Sequence, residues 1–466
     1  MVIAYRKTQI SLHPMFSRTP RLSWMSFVPY TLLICFLLFL SISGRIVLSE
    51  NPSLVRVDEF QVFVLGSILF VGFLINRVAP RTIIPSFVWV ILAGIALEPI
   101  LGVFTRDMGL LSIVMELFAA IILFTGGVEI PFKNFKKWFF PIASLSIIGV
   151  LLTAVIFSVM MWGLTTALGI FEPAIIPSIV ILSVALASTD PTAIIPLLNV
   201  MKFKRNYIKE IAISESALTD ISGSILTRFL LLAFITTPIF NSNVFNYFSP
   251  LLERGTYDAF ALQIMSGILV GYLGYSLLKR LYDLNSSRRH ADPALLLSIP
   301  IFTFVLGNAL GGAGFLAAFV AGLLSDLSGE LRRASQFNED LLNHLIYPFV
   351  FIILGALVPV QILIEYAPIG IVASVFFILI IRPVVVFCSL FPWYLEHRFR
   401  FEDLVFLSMI RETGIIAAVL LVIASSYNII QSDFVIAIGM WVILLTLILE
   451  PPLTPILAKR IGITKR

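Results

Sequence analysis

The chain has 466 residues, of which 59% are hydrophobic and 13% charged, and its mean hydropathy is +1.01. Soluble domains carry about a quarter charged residues, so this composition excludes a soluble protein and indicates one embedded in a lipid bilayer. The formal net charge is +5, but the basic residues cluster in short loops, which reflects membrane orientation and argues against nucleic-acid binding. Cys35 and Cys388 lie in apolar runs, which argues against a disulfide framework or a thiolate metal site.

The first apolar run covers residues 27–48 and follows a long basic region, residues 1–26. The run is longer than the core of a typical signal peptide. We therefore interpret 27–48 as an uncleaved signal-anchor helix and 1–26 as a cytoplasmic N-terminal segment. A removed signal peptide is the alternative, because Ser41–Gly44 loosely resembles a cleavage site.

Apolar runs long enough to cross a bilayer, about 20 residues each, recur to the end of the chain. Basic loops alternate with acidic or neutral ones, so both termini face the cytoplasm if the first segment is retained. The glycine-rich stretch Gly307–Gly314 predicts a tight hairpin between two of the runs. About fourteen membrane helices are predicted, beginning near Phe27, Phe60, Ile83, Leu110, Phe140, Ala174, Ile208, Leu262, Pro293, Phe315, Leu341, Ala367, Leu404 and Phe434.

Five ionisable residues lie at similar depths inside these predicted helices, where a charge is costly and therefore indicates function. At 1.5 Å per residue, Asp190 lies about 15 Å and Asp220 about 18 Å from the basic loop between their helices. Glu215, Arg382 and Arg411 lie about 11 to 13 Å from their nearest basic loops. These matching depths predict that the five charges share one polar site.

Asp190 stands in the motif Ser188-Thr-Asp-Pro191 within an apolar run. Pro191 removes a helical hydrogen bond and disfavours helix at the residue before it. A break at this depth is tolerated beside a cavity or another polar chain, and interrupted helices bind ions in many secondary transporters. A plain proline kink is the alternative, but a kink needs no carboxylate. The motif therefore favours an ion site.

The next helix carries Ser216 and Asp220 four residues apart and hence on one face. Glu215 lies about 100° around the helix from Ser216, so we expect it to pair with a cation, and Arg382 lies at the matching depth. Asp220 is then the candidate exchange site. Arg228, two turns further on, is expected to extend to the outer interface, and Glu116 on an earlier helix is interpreted as structural.

Together these motifs resemble the paired signature of monovalent cation/proton antiporters of the NhaP and sodium–proton exchanger branch. The resemblance rests on Ser188–Pro191 followed one helix later by Glu215–Asp220, and it covers the chain from about Phe60 to its C-terminus. Supporting matches are Phe315–Leu323, Arg382-Pro383 and Arg411–Ala418.

The resemblance implies an inverted-repeat antiporter fold with two interrupted crossing helices, broken around Thr189–Pro191 and around Arg411–Gly414. It implies a homodimer of thirteen-helix protomers, here residues 57–459, with the helix at 27–48 outside that unit. Residues 460–466 are then a short cytoplasmic tail.

The resemblance also implies the roles of individual residues. Asp220 binds a cation or a proton in exchange, and Asp190, Ser216 and Thr189 complete the site for Na⁺ with it. It further implies that Glu215 and Arg382 form a structural ion pair, and that three other residues support the interrupted helices: Pro191, Thr219 and Arg411.

Thr219 departs from the family pattern, because this branch usually has Asn before the second Asp and its electrogenic relatives have Asp there. A hydroxyl carries no charge, so the pattern favours one proton per cation.

The sequence therefore predicts an inner-membrane secondary antiporter for pH homeostasis that exchanges Na⁺ or Li⁺ for H⁺ by alternating access, with competition at Asp220. The alternatives are a K⁺/H⁺ antiporter and a cation channel with the same acidic site. No cofactor or enzymatic activity is expected, since the sequence lacks Walker, His-Glu-x-x-His and Gly-x-Gly-Asp motifs.

Overall fold

The structure is a computed structural model. Three predicted site residues, Asp190, Pro191 and Arg411, lie outside the part of the chain that it describes, as do residues 1–27. The described residues are 28–50, 58–82, 84–101, 108–130, 132–189, 198, 201–235, 254–285, 293–325, 338–410, 412–427 and 431–464.

Helices dominate the described residues, and one lies at each of the fourteen predicted apolar runs. In chain order they are α1 (Val28–Glu50), α2 (Asp58–Val78), α3 (Ser86–Leu101), α4 (Met108–Glu129), α5 (Phe132–Lys137), α6 (Phe139–Ala167), α7 (Ile176–Ala185), α8 (Asn206–Ile235), α9 (Arg254–Asn285), α10 (Pro293–Ala309), α11 (Gly314–Leu324), α12 (Asn338–Ala356), α13 (Val360–Glu365), α14 (Ala367–Leu395), α15 (Phe401–Ser408), α16 (Ile415–Ser425) and α17 (Ser432–Ile461). Within the described ranges, seven helices are long and apolar enough to cross a membrane, namely α4, α6, α8, α9, α12, α14 and α17.

The predicted hairpin joins α10 to α11 through a short glycine-rich turn. Gly311 has a φ of +72°, which a residue with a side chain rarely adopts. A Cβ on Gly314 would lie 2.4 Å from the carbonyl oxygen of Phe304, so only glycine allows the two helices to approach this closely. The backbone N–H of Gly314 donates to Oδ1 of Asn308 at 3.2 Å, which closes the turn.

Two helices are interrupted. After α7 ends at Ala185 the chain leaves the helical conformation by Ser188, and residues 409–410 and 412–414 separate α15 from α16. The helices α7 and α16 pack against each other and against α17. Gly439 of α17 lies under this crossing, since a Cβ there would lie 2.4 Å from Leu421 and 3.4 Å from Leu182. The expected fold with two interrupted crossing helices is confirmed.

The helices pack as two groups. The core group contains both interrupted helices with their neighbours α6, α8, α14 and α17, and the scaffold group contains α1 to α4 and α9 to α12. Glycines allow close approach within the scaffold group: Gly94 of α3 faces Gly355 of α12, and Gly322 of α11 lies against Phe124 of α4. Between the groups, α8 contacts α4 and α11, and α16 contacts α4 and α12. The polar residues described next lie mostly on the core group.

Candidate functional site

Thr219 is at the centre of the hydrogen bonds that join the first break to α8. Its hydroxyl donates to the carbonyl oxygen of Ser216 at 2.7 Å, and a hydroxyl has one proton to donate. Its oxygen therefore accepts from the Thr189 hydroxyl at 2.7 Å and from the Thr189 backbone N–H at 3.3 Å. Ser216 in turn donates its hydroxyl to the Thr189 carbonyl oxygen at 2.9 Å. The network uses the proton of each hydroxyl and brings three predicted site residues into direct contact.

The first break packs against α8 at Gly223, where an added Cβ would make only ordinary van der Waals contacts. A Cβ on Gly223 would lie 3.5 Å from Cβ of Ser188 and 3.6 Å from the carbonyl oxygen of Val184. Ser188 caps the end of α7 by donating its hydroxyl to the carbonyl oxygen of Ala185 at 3.1 Å. In the described part of the break, side chains thus bond the carbonyl oxygen of Ala185 and both backbone groups of Thr189, as a membrane interior requires.

Asp220 lies one turn beyond Ser216 on the same face of α8 and is buried, with 3% of its surface exposed. It lines a small cavity whose other walls are formed by residues of α4 and α12. Polar lining residues of that cavity include Thr125 and Glu129 of α4 and Tyr347 of α12. The carboxylate therefore has a polar space beside it that an ion could enter.

Glu215 and Arg382 form a buried ion pair between α8 and α14. The two terminal nitrogens of Arg382 donate to the two carboxylate oxygens of Glu215 at 2.7 and 3.0 Å, and each side chain is 3% exposed. One of these nitrogens also donates to the carbonyl oxygen of Ile410 at 3.2 Å. Arg382 thereby holds the second break against α8.

Three helices near these residues contain a wide π turn, a feature often found at functional sites. In α6 the turn is Ser144–Ile148, and Ser146 donates to the carbonyl oxygen of Glu215 at 3.3 Å. In α14 the turn is Phe377–Ile381 and directly precedes Arg382. In α12 it is Leu342–Ile346, beside the Asp220 cavity. All three π turns thus lie next to residues of the candidate site.

Sequence reasoning missed two acidic residues near these features. Glu412 lies in the second break and is 1% exposed. It stands inside the motif Arg411–Ala418, so its depth could have been counted like that of its neighbour. Glu129 lines the Asp220 cavity at the end of α4, and its only sequence signal is its position after a long apolar run.

Arg228 lies differently from the sequence expectation. Its guanidinium faces inward, donating to Oε1 of Glu116 at 3.2 Å and to Oδ1 of Asn308. Glu116 thereby has a partner on another helix that its own sequence context does not indicate.

The crossing of two interrupted helices, with buried acidic residues on the adjoining α8, defines an integral membrane protein with the fold of secondary antiporters. In structure the chain is similar to the sodium proton antiporter MjNhaP1 from Methanocaldococcus jannaschii at pH 8. The TM-score is 0.68 at 21% identity, covering 86% of this chain and 98% of that one. The family described as "Sodium/hydrogen exchanger, transmembrane" matches residues 65–460. The chain belongs to this family.

Curated relatives also match in sequence. The K(+)/H(+) antiporter NhaP2 of Shewanella sp. (strain ANA-3) is 25% identical over 395 residues, which are 83% of this chain and 65% of that protein. The Na(+)/H(+) antiporter ApNhaP of Aphanothece halophytica is 26% identical over 213 residues, 46% of this chain and 37% of that protein. The chain thus matches less than two thirds of the length of these relatives.

Proposed function

We propose that this protein is a secondary antiporter that exchanges a monovalent cation for a proton, with both competing for the carboxylate of Asp220. The observation that supports it most directly is the burial of Asp220 on the face of α8 that carries Ser216, beside a cavity and next to the first break. An unneutralised carboxylate is costly inside a membrane. A bound proton or a bound cation each removes that cost.

Oxygen atoms suitable for a small hard cation lie in the hydrogen-bonded network that joins the first break to α8. Ser216 and Thr189 each use their hydroxyl proton in the network described above, so their hydroxyl oxygens keep lone pairs for an ion. The proposed Na⁺ site comprises Asp220, Ser216, Thr189 and Asp190, the last adjoining Thr189 in the sequence. Only a site that holds a cation or a proton is neutral enough to move from one side of the membrane to the other. Alternating access therefore couples the flux of cations to the flux of protons.

We propose an electroneutral exchange of one proton for one cation. The residue before Asp220 is Thr219, whose side chain carries no charge and is occupied with holding Thr189 and Ser216. With Glu215 neutralised by Arg382, Asp220 is the buried acid of α8 that remains for exchange. A membrane potential would then leave the exchange rate unchanged.

For the cation we propose Na⁺ or Li⁺, supported by the structural likeness to a protein described as a sodium proton antiporter. The relative NhaP2 is described as a K(+)/H(+) antiporter, which makes K⁺ the alternative to be measured. In both cases the chemistry at Asp220 is the same competition between cation and proton.

The experiment is exchange in proteoliposomes, with proton flux recorded by a pH-sensitive dye inside the vesicles. Na⁺, Li⁺ and K⁺ are added in turn, with and without valinomycin and K⁺ to clamp the potential. We expect saturable proton flux with Na⁺ and Li⁺ that is insensitive to the clamp, and none with Asp220→Asn. The matched control is Asp258→Asn, which removes an exposed carboxylate of α9. Normal exchange by Asp220→Asn would refute the assignment, and conductance without coupled proton flux would indicate a channel.

We further propose that the protein resides in the inner cell membrane with both termini in the cytoplasm and that α1 is retained. In support, α1 packs on α3, with the rings of Tyr30 and Trp89 at 6.3 Å in an edge-on arrangement. Mass spectrometry of the intact purified protein tests this, since cleavage near Gly44 would remove α1 from the observed mass.

A homodimer of the 57–459 unit is proposed from the family resemblance. Light scattering of the detergent-solubilised protein, corrected for bound detergent, gives the mass of the complex. A monomer mass at all protein concentrations would contradict the proposal.

A further inference from the structure

Arg228 lies at the centre of a polar cluster that the exchange site does not use. One of its nitrogens is 3.2 Å from Oε1 of Glu116, and another donates to Oδ1 of Asn308. The guanidinium also lies over the rings of Phe304 and Phe315, at 6.0 and 5.5 Å from their centroids. An ion pair, a hydrogen bond and two cation–π contacts therefore fix the position of the Arg228 guanidinium.

The cluster and the cavity lie on opposite sides of Asp220. Arg228 is two turns beyond Asp220 on α8, about 12 Å along the helix axis. The cavity is lined by Glu129 at the end of α4 and by Leu342 near the start of α12, and basic loops adjoin both of these ends. The cavity therefore approaches Asp220 from the face of the basic loops, whereas the cluster lies toward the other face.

The cluster also joins the two groups of helices. Arg228 belongs to α8 of the core group, whereas Glu116, Asn308, Phe304 and Phe315 belong to α4, α10 and α11 of the scaffold group. A movement of the core against the scaffold that opens a path on this side of Asp220 has to separate Arg228 from these partners.

We propose that Arg228, Glu116 and Asn308 form the closure that seals Asp220 from the face opposite the basic loops, and that this closure opens once in each transport cycle. The inference rests on the proposed alternating-access function. The side chains of Arg228 and Glu116 are 25% and 20% exposed, so their separation costs less than that of a fully buried pair. The Glu215–Arg382 pair, at 3% exposure, is costly to separate and lies entirely within the core group. Of the two pairs, the first is suited to repeated opening.

The test uses the accessibility of one cysteine in the cavity. In a background with Cys35→Ser and Cys388→Ser, Gly126→Cys places a thiol in the cavity wall, where an added Cβ meets nothing closer than 3.9 Å. Its modification by a membrane-impermeant methanethiosulfonate reagent is timed in right-side-out and inside-out vesicles. We expect faster reaction from the basic-loop face. We expect Glu116→Gln, and separately Arg228→Gln, to raise the rate from the opposite face about fivefold by weakening the closed state.

The control is Glu396→Gln, which breaks the exposed Arg398–Glu396 pair and leaves the labelling rates unchanged. If both Glu116→Gln and Arg228→Gln leave the rate from the opposite face within twofold of the reference, the closure is refuted. Cysteine labelling does not depend on transport, so the labelling rates test the closure and the exchange assay tests the proposed antiport function. Absence of exchange in the unmodified protein refutes the proposed function, whereas normal exchange with unchanged labelling refutes only the closure.

Discussion

Arg382 contacts Glu215 through two parallel hydrogen bonds of 2.7 and 3.0 Å, and the same guanidinium donates to the carbonyl oxygen of Ile410. A single side chain of α14 therefore neutralises an acid of α8 and satisfies the backbone at the second break. The planar fork of arginine supplies these three donors from one position, which a lysine ammonium cannot match in geometry. The pair thus links the two parts of the core that carry the interrupted helices.

We expect Glu215→Gln to lower the stability of the protein by about 3 to 5 kcal/mol, because it leaves the buried charge of Arg382 without its counterion. Arg382→Lys keeps the positive charge but cannot form the two parallel hydrogen bonds, so we expect a smaller loss of stability than for Glu215→Gln. Thermal unfolding in detergent, followed by size-exclusion fluorescence, measures both. Glu396→Gln at the exposed pair serves as the control and is expected to have no measurable effect. Equal melting temperatures for Glu215→Gln and this control would contradict the prediction.

The hydroxyl of Thr219 accepts two hydrogen bonds from Thr189 and donates one to Ser216. Thr219→Val keeps the shape but leaves buried donors of Thr189 without an acceptor, at about 1 to 3 kcal/mol each. We expect exchange at subsaturating cation to fall by about tenfold or more, as such an energy implies. Thr219→Ser keeps the hydroxyl, and its exchange rate is expected to stay within about threefold of the rate of the unmodified protein. Initial rates in proteoliposomes compare the two, and similar losses in both variants would indicate that the methyl group matters instead.

Gly322 of α11 packs directly on α4, where an added Cβ would lie 2.1 Å from the carbonyl oxygen of Phe124. We expect Gly322→Ala to separate the helices and destabilise the protein by about 1 to 3 kcal/mol or more, as overpacking does. Gly163 of α6 is a matched control, because a Cβ there meets nothing within 4 Å. Gly163→Ala is expected to be neutral or to stabilise by up to about 1 kcal/mol. Melting temperatures of the two variants in one detergent provide the comparison.

Asp403 joins the start of α15 to the start of α8. Its Oδ2 accepts from Arg205 at 2.8 Å, from the Tyr207 hydroxyl at 2.7 Å and from the backbone N–H of Arg400 at 2.9 Å. The side chain of Asp403 is fully buried. We expect Asp403→Asn to cost about 1.5 to 3 kcal/mol, because it removes a charged hydrogen-bond acceptor while Arg205 stays partly exposed, and Tyr207→Phe to cost about the same through loss of one hydrogen bond to a charge.

Thermal unfolding of both single variants and of the double variant measures this coupling. Tyr257→Phe on the exposed surface of α9 is the control for loss of a tyrosine hydroxyl. A double variant whose loss equals the sum of the single losses would show that Tyr207 and Asp403 act independently.

Local features of the sequence predicted much of the site. Ser216 and Asp220 share a face because they are four residues apart on one helix, and Thr189 lies at a break beside Pro191, where proline disfavours helix. The sequence also indicated Arg382 as the partner of Glu215, since counting residues from the loops gives comparable depths. Arg228 was misjudged, because its partners on α4 and α10 are distant in sequence and residue counting along α8 contains no information about them.

By itself the sequence determined that the chain crosses a membrane many times, where its helices run and that Glu215 and Asp220 lie deep within one of them. Hydropathy, charge asymmetry and proline act over a few residues, so they can be read along the chain. Only the tertiary structure decided that Thr219 accepts from Thr189, that Arg382 also satisfies Ile410, and that Asp220 shares a cavity with residues of α4 and α12. These relationships join residues from separate helices, and each depends on packing distances that no local pattern specifies.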